Sequence, residues 1–313
     1  MKKPKVSINL CCFNGENYVR EALQGIVSQT YKDWELIFIN DGSSDSTRSI
    51  VYEFKDKGYP IVYHYQKNKG LGASRNEAFI RSQGEYIAFL DHDDVWFPRK
   101  LEKQVSVIES NPDIDFIYTN CYKKMGNSNK KFLEFKKRQP EGHVFRSFLQ
   151  YYPVVLATSM VRAKVLQELD PLFDDKLGLC EEYDVFMRIL YKSKAAYIEE
   201  PLAIYRVHQE MSSIKFIENY PKEHEHVIEK LKQMEPLLEE KFKSELGFLR
   251  AKIGYWHARA KMASGDKYKA REYLKPYKTV NYKFFAFYLS TYFPSTFWRI
   301  IDYLGNRASI RFD

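Results

Sequence analysis

Residues 90–94 read LDHDD, three carboxylates (Asp91, Asp93 and Asp94) closing an apolar run with His92 between them. Three acids within four positions repel one another unless a cation or basic groups compensate. Asp91 and Asp93 are separated by one residue, so a turning backbone can aim both at one region. Carboxylate oxygens suit Mg²⁺ or Mn²⁺, with a substrate diphosphate completing the coordination shell. The competing reading is a helix cap, since Asp94 stands shortly before Pro98, a residue suited to the first turn of a helix.

The elements that must position these acids are legible from their period. Lys5–Cys12 reads as a strand, Tyr18–Gln29 as a helix, and Trp34–Asn40 as a second strand that stops at the turn and cap residues Asp41-Gly42-Ser43-Ser44-Asp45. Ser46–Lys57 is helical, Ile61–Tyr65 is a third strand, and Gly70–Gln83 is a helix opening on a glycine pair. Tyr86–Leu90 is a wholly apolar fourth strand, as expected of one buried on both faces. A helix to about Ser110 and a strand at Ile114–Thr119 follow. Strand–helix alternation at this pitch predicts an α/β fold, Rossmann-like, with a mainly parallel sheet flanked by helices. Ligands of such sheets bind beyond the carboxyl ends of the strands. That rule gathers Phe13–Asn17, Asp41–Asp45, Gln66–Gly72 and Asp91–Asp94 along one edge. Lys123–Gln139, polar and basic, reads as a loop or edge hairpin.

The chain has 313 residues, 44% apolar and 16% aromatic, enough for a sizeable core and too aromatic for a disordered chain. The net charge of +8 is concentrated late: residues 250–313 hold thirteen Lys or Arg against four Asp or Glu. Cys11, Cys12, Cys121 and Cys180 form no C-x-x-C pair, which fits a reducing cytoplasm and no structural zinc. No stretch reaches the roughly 18–20 apolar residues of a membrane span, and the N-terminus, with basic residues but only a short apolar run, does not read as a signal peptide. Beyond Ile214, Tyr220–Leu238 and Lys241–Ala263 read as helices, and GYWHARAKMASGDKYKAREYLKPY as one helical hairpin. Eleven aromatics then fall within residues 277–303, among Lys278, Lys283 and Arg299. Aromatics interleaved with bases suit a bilayer surface, so membrane contact through 277–311 is expected. No nucleic-acid recognition motif supports the other basic-patch reading.

Five ordered motifs carry a resemblance: VSINLCCFNGENYVREAL, QTYKDWELIFINDGSSDST, NKGLGASRNEA, GEYIAFLDHDD and EEYDVFMR…LAIYRVHQEMSS. Together they resemble family-2 glycosyltransferases of the GT-A fold, from about Val6 to Ser213. The resemblance implies a GT-A domain over 1–215 and a helical C-terminal region over 216–313. It implies inverting transfer of a sugar from a nucleotide-diphosphate donor, expected to be a UDP-sugar, to a hydroxyl of a saccharide or lipid-linked saccharide, with Mn²⁺ or Mg²⁺. The enzyme is then expected in the cytoplasm, peripheral on the inner face of the cell membrane. Asp41 matches the residue that contacts the base, and Phe13, Asn14 and Glu16 match the loop around base and ribose. Asn68 and Arg75 match donor-side positions. Asp91 matches the ribose and metal side, Asp93 and His208 match metal ligands, and Ser213 matches a phosphate contact. A nucleotidyltransferase is the alternative enzyme, but CCFNGENY offers one glycine and no nearby base for a phosphate loop. A non-catalytic donor-binding or scaffold protein also stays open, because a Glu-Glu pair replaces the family's Glu-Asp.

The resemblance puts the general base at that pair, leaving Glu181, Glu182 and Asp184. At about 100° per residue, Val185, Phe186, Ile189 and Leu190 define an apolar helix face with Glu182 near its middle. Glu181 and Asp184 fall opposite, where Asp184 and Arg188 are spaced for a surface ion pair. A buried-side carboxylate needs a partner or a function, and desolvation raises its pKa as a base requires. Glu182 is therefore the expected base.

Overall fold

The structure, a computed structural model, describes residues 3–126, 130–293 and 297–298. The chain forms two compact units, Met1–Val144 with Val154–Met211, and Phe145–Pro153 with Ser212–Asp313.

The first unit contains β1 (Val6–Cys12), α1 (Val19–Val27), β2 (Trp34–Asp41), α2 (Thr47–Lys55), β3 (Ile61–Gln66), α3 (Leu71–Arg81), β4 (Tyr86–Asp91), β5 (Val95–Trp96), α4 (Lys100–Ser110), β6 (Ile114–Met125) and β7 (Lys131–Leu133). After α5 (Phe145–Gln150), which belongs to the second unit, come β8 (Met160–Arg162), α6 (Ala163–Gln167), α7 (Glu181–Leu190) and β9 (Lys194–Val207). The strands form one sheet in the order β3-β2-β1-β4-β8-β6-β9-β5, with β7 paired to β6. The expected parallel sheet is present in β3-β2-β1-β4. Beyond β4 the sheet is mixed: β8 runs antiparallel to both β4 and β6, while β9 runs parallel to β6. Every residue of β1 and β2 is buried, as strands covered on both faces require. Lys123–Gln139 contains the end of β6 and all of β7, an antiparallel hairpin.

Register explains the placement of the site. Cys11 pairs with Asp91, Cys12 with Asn40, and Asp41 with Gln66, so the carboxyl ends of four parallel strands finish in one row. Two successive reversals, β4 to β8 and β8 to β6, restore the original direction for β6 and β9. The carboxyl end of β9 therefore delivers residues 206–208 to the same edge.

The second unit contains α8 (Ser212–Lys215), α9 (Tyr220–Met234), α10 (Leu238–Lys241), α11 (Lys243–Ala263), α12 (Lys267–Leu274) and α13 (Tyr282–Ser290). Helices α11 and α12 form the expected hairpin, and the Asp266 side chain accepts from the Lys269 amide to cap α12. Gly254 lets them close: a Cβ there would lie 2.7 Å from the Tyr277 ring and 2.9 Å from the Tyr273 carbonyl oxygen. Tyr255, Phe284, Phe287 and Trp298 fill the core beneath. No described helix is long and apolar enough to cross a membrane. Within 277–311, residues 294–296 and 299–311 lie outside the described residues.

Candidate active site

The loops after β1, β2 and β3 bind one another through side chains that the sequence had marked for the donor. Asn14, held at φ 50°, accepts from the Ser44 amide, and its own amide donates to Ser43. Glu16 accepts from the Ser46 amide, and Asp45 accepts from the amides of Glu16 and Thr47. Glu16 and Asp45 thus bind the Ser46 and Thr47 amides at the start of α2, and Asp41 has its partners elsewhere. Asp41 Oδ1 accepts from Gln66 Nε2 at 2.8 Å and from the Lys69 amide at 2.9 Å, and Oδ2 accepts from the Gly70 amide at 3.0 Å. Its carboxylate therefore moulds the loop carrying Asn68. Gly42, at φ 85°, passes so near that loop that a Cβ would sit 2.8 Å from the Asn68 nitrogen. Phe13 is half exposed, which removes the reading of it as a core residue.

The acids at and just beyond the end of β4 divide by partner. Asp91 receives Arg75 Nη2 at 3.1 Å. Its carboxyl is raised chiefly by burial, against the pull of the Arg75 charge. Asp93 Oδ2 lies 2.8 Å from His208 Nε2. Burial works to raise the Asp93 carboxyl, but the His208 hydrogen bond and the neighbouring His92 hold it below its usual value. Asp94 is no helix cap: it is buried, and Oδ1 accepts from the Arg206 amide at 2.9 Å. Burial and the charges of Asp93 and Asp91 push its carboxyl well up. Arg206 fastens this turn from the other side, donating to the Asp93 carbonyl oxygen and to Glu21, with its guanidinium over the Tyr18 ring. Tyr18 also stacks on His208, centroids 4.8 Å apart. Sequence reasoning missed Arg206, Tyr18 and Glu21 as parts of this arrangement. The signal available was Arg206 two residues before His208, a spacing that puts both on one side of an extended chain.

Arg75 is buried at 3% exposure and meets three acids, Asp91, Glu181 at 2.8 Å and Glu182 at 3.6 Å. Helix α7 corrects the helical-wheel argument. It is buried almost all round, because Phe186 packs on Phe89 and Phe116 of the sheet while Arg188 on the other side donates to the carbonyls of Pro171 and Leu172. The Asp184–Arg188 pair is consequently a buried bridge of 2.7 Å, not a surface one, and Glu181 is buried at 2% exposure. Glu182, expected on the buried side of the helix, is instead the most open acid of the three, its side chain 26% exposed, because the packing around α7 covers the other two. Its only ion-pair partner within 4 Å among the described residues is Arg75. Burial, and next the Glu181 charge, push its carboxyl up to about 8 against the pull of Arg75.

The metal-binding expectation meets a two-residue set. Among the described residues, no three His, Cys, Asp or Glu side chains converge as a ready cage. Asp93 Oδ2 and His208 Nε2 do converge, and their 2.8 Å separation suits two neighbouring corners of an octahedron with ligands at about 2.0–2.1 Å. Asp91 is turned to Arg75. Such a pair fits a cation whose remaining positions are filled by water and substrate phosphate. Ser213 lies in α8 of the second unit, and its side chain is outside the described residues.

Residues 7–169 match the model of glycosyl transferase family 2. A glycosyltransferase of Methanocaldococcus jannaschii is 34% identical over 215 residues, covering 66% of this chain and 72% of its own length. The Escherichia coli UDP-Glc:alpha-D-GlcNAc-diphosphoundecaprenol beta-1,3-glucosyltransferase WfgD is 39% identical over 115 residues, 37% of this chain and 45% of that protein. The fold is shared with Staphylococcus aureus TarS in complex with UDP-GlcNAc, at a TM-score of 0.69 and 17% identity over 97% of this chain and 92% of that one. It is shared too with the mannosyltransferase PcManGT from Pyrobaculum calidifontis in complex with GDP-Man and Mn²⁺, at 0.61 and 14% over 99% and 89%. The architecture is GT-A, with C-terminal helices, and the chain belongs to glycosyl transferase family 2.

Proposed function

We propose that the chain is an inverting hexosyltransferase that moves a sugar from a UDP-sugar to a hydroxyl of a saccharide, free or carried on a lipid. Glu182 carries this reading. It is an acid poised near neutrality at the row of strand ends, without a short ion pair to occupy it. In the reaction its carboxylate takes the proton of the acceptor hydroxyl while that oxygen bonds to the anomeric carbon from the face opposite the diphosphate. The bond from that carbon to the diphosphate oxygen breaks, and the diphosphate leaves with the electron pair. Arg75 positions the acids around this point: it clamps Glu181 and Asp91 and leaves Glu182 at the longer distance. Asp93 and His208 would hold Mn²⁺ or Mg²⁺, which supplies positive charge to the departing diphosphate. Asp41 shapes the Asn68 loop for the base, Phe13 and Asn14 flank it, and Asp91 faces the ribose side. Glu16 supports that pocket indirectly, through the start of α2.

Two relatives support the donor and acceptor classes: a structural relative in complex with UDP-GlcNAc, and a sequence relative named for a diphosphoundecaprenol acceptor. By that analogy the enzyme works at the inner face of the cell membrane. The test is release of nucleotide diphosphate from a panel of UDP-sugars and GDP-mannose, with Mn²⁺, with Mg²⁺ and with chelator. Metal-dependent release and a product of inverted anomeric configuration are expected. Absence of turnover with every donor, metal and acceptor class would favour a non-catalytic binding protein instead.

A further inference from the structure

Surface helices ordinarily turn their polar side outward. Helix α13 does not. Phe284 and Phe287 occupy its inner face, buried in the core of the second unit. Tyr282, Phe285 and Leu289 share the outer face at helical spacing, 77%, 48% and 42% exposed, and Phe293 extends the row just past the helix. Four large apolar groups in line make a contiguous patch rather than scattered exposure.

The border of this patch is basic. Residues 267–293 hold Lys267, Lys269, Arg271, Lys275, Lys278 and Lys283 against one acid, Glu272. Two of these cations stand on aromatic rings at the edge: Lys278 lies 5.5 Å from the Tyr288 ring centre and Arg271 lies 3.6 Å from that of Tyr292. The two tyrosine hydroxyls are hydrogen-bonded at 2.9 Å, which joins them into one rim. Rings with an apolar body and a polar tip, next to ammonium and guanidinium groups, match the boundary between acyl chains and anionic headgroups.

We propose that the outer face of α13 docks on an anionic phospholipid bilayer. Tyr282, Phe285, Leu289 and Phe293 enter the acyl boundary, and Lys278, Lys283 and Arg271 meet the headgroup phosphates. At nine residues, about 14 Å, the helix lies along the surface and does not span it. Hydrophobic insertion supplies the affinity, and the basic border supplies the preference for negative lipid.

Flotation of the full chain with vesicles tests this without reference to sugar transfer, so its result is separable from the transferase reading. Vesicles of phosphatidylcholine with about one-third phosphatidylglycerol should bind the chain at least tenfold more than pure phosphatidylcholine, and high salt should weaken binding. Phe285→Glu with Leu289→Glu should reduce binding at least tenfold, with folding checked by circular dichroism and unfolding temperature. Lys278→Glu with Lys283→Glu should remove the lipid-charge preference. Failure of the wild-type chain to float with either vesicle overturns the proposal, as does unchanged binding by the Phe285/Leu289 variant. Self-association of the free chain that the same variant abolishes would assign the face to a second copy and overturn it as well.

Discussion

Arg75 Nη1 holds Glu181 at 2.8 Å, joining α3 to α7 across 106 positions of sequence, and the same nitrogen stands 3.6 Å from Glu182. One guanidinium therefore fixes one acid and biases its neighbour. Removing one partner of a buried pair leaves an uncompensated charge, a loss of about 3–5 kcal/mol. Arg75→Met should lower urea-unfolding stability by that order. The double variant Arg75→Met, Glu181→Met should recover part of it, since no lone charge then stays at the Glu181 position. Equal stability of wild type and Arg75→Met would show that the pair bears no such burden.

Glu182 provides the pH signature. Its carboxyl is pushed up to about 8, and a base acts only when deprotonated. The rate constant kcat/KM should therefore fall as pH drops through 8, by about tenfold per unit below it. Glu182→Gln should reduce turnover by about 10²–10⁴-fold with donor affinity nearly intact. Arg75 pulls the Glu182 carboxyl down, so any active Arg75 variant should move the acid limb to higher pH. A Glu182→Gln enzyme with most of its turnover would transfer the base role to Glu181 or Asp184.

Asp93 and His208 make a separate prediction through binding. Asp93→Asn and His208→Ala should each weaken Mn²⁺ binding in the presence of UDP by about 10–100-fold, read by calorimetry or by the Mn²⁺ electron spin resonance signal. Asp94→Asn should preserve Mn²⁺ affinity far better, because Asp94 Oδ1 is bonded to the Arg206 amide and points into the fold. Comparable losses for Asp94→Asn and Asp93→Asn would mean that the turn, not the Asp93 oxygen, determines the site.

The strand ends were legible from local chemistry: β1, β2 and β4 run into Phe-Asn-Gly, Asp-Gly-Ser and Asp-His-Asp-Asp, and β3 into Lys-Asn-Lys-Gly. That local marking sufficed to gather Asn14, Asp41, Asn68 and Asp91 on one edge. Arg75 was legible as a residue of the site but not as a buried hub, since its partners Asp91 and Glu181 lie in distant segments. The α7 wheel misread Glu181 and Asp184 because a period reports an outside only when a helix has one. Strand β8, three residues long at Met160–Arg162, leaves no period to detect, and with it went the two antiparallel pairings that bring β9 to the site. The grouping of Phe145–Pro153 with the C-terminal helices depends on contacts such as Arg146 with Glu245, which no local pattern announces.

His224 of α9 supplies a stability test in the second unit. It is 6% exposed, and Nδ1 is 3.0 Å from the Tyr220 carbonyl oxygen. Burial drives its pKa down to about 4, outweighing the raising effect of that carbonyl. An unfolded His titrates near 6.5. Between pH 4 and 6.5 the unfolded chain thus binds more protons than the folded one, and stability must rise with pH across that window. The whole interval is worth on the order of 3 kcal/mol. Urea unfolding of the wild type should show progressive loss of stability from pH 6.5 down toward 4, with little contribution from this group above 6.5. His224→Gln removes the titration, so the difference between wild type and variant should shrink by about that amount as pH falls. A difference that stays constant with pH would show that His224 is protonated as readily in the folded chain as in the unfolded one.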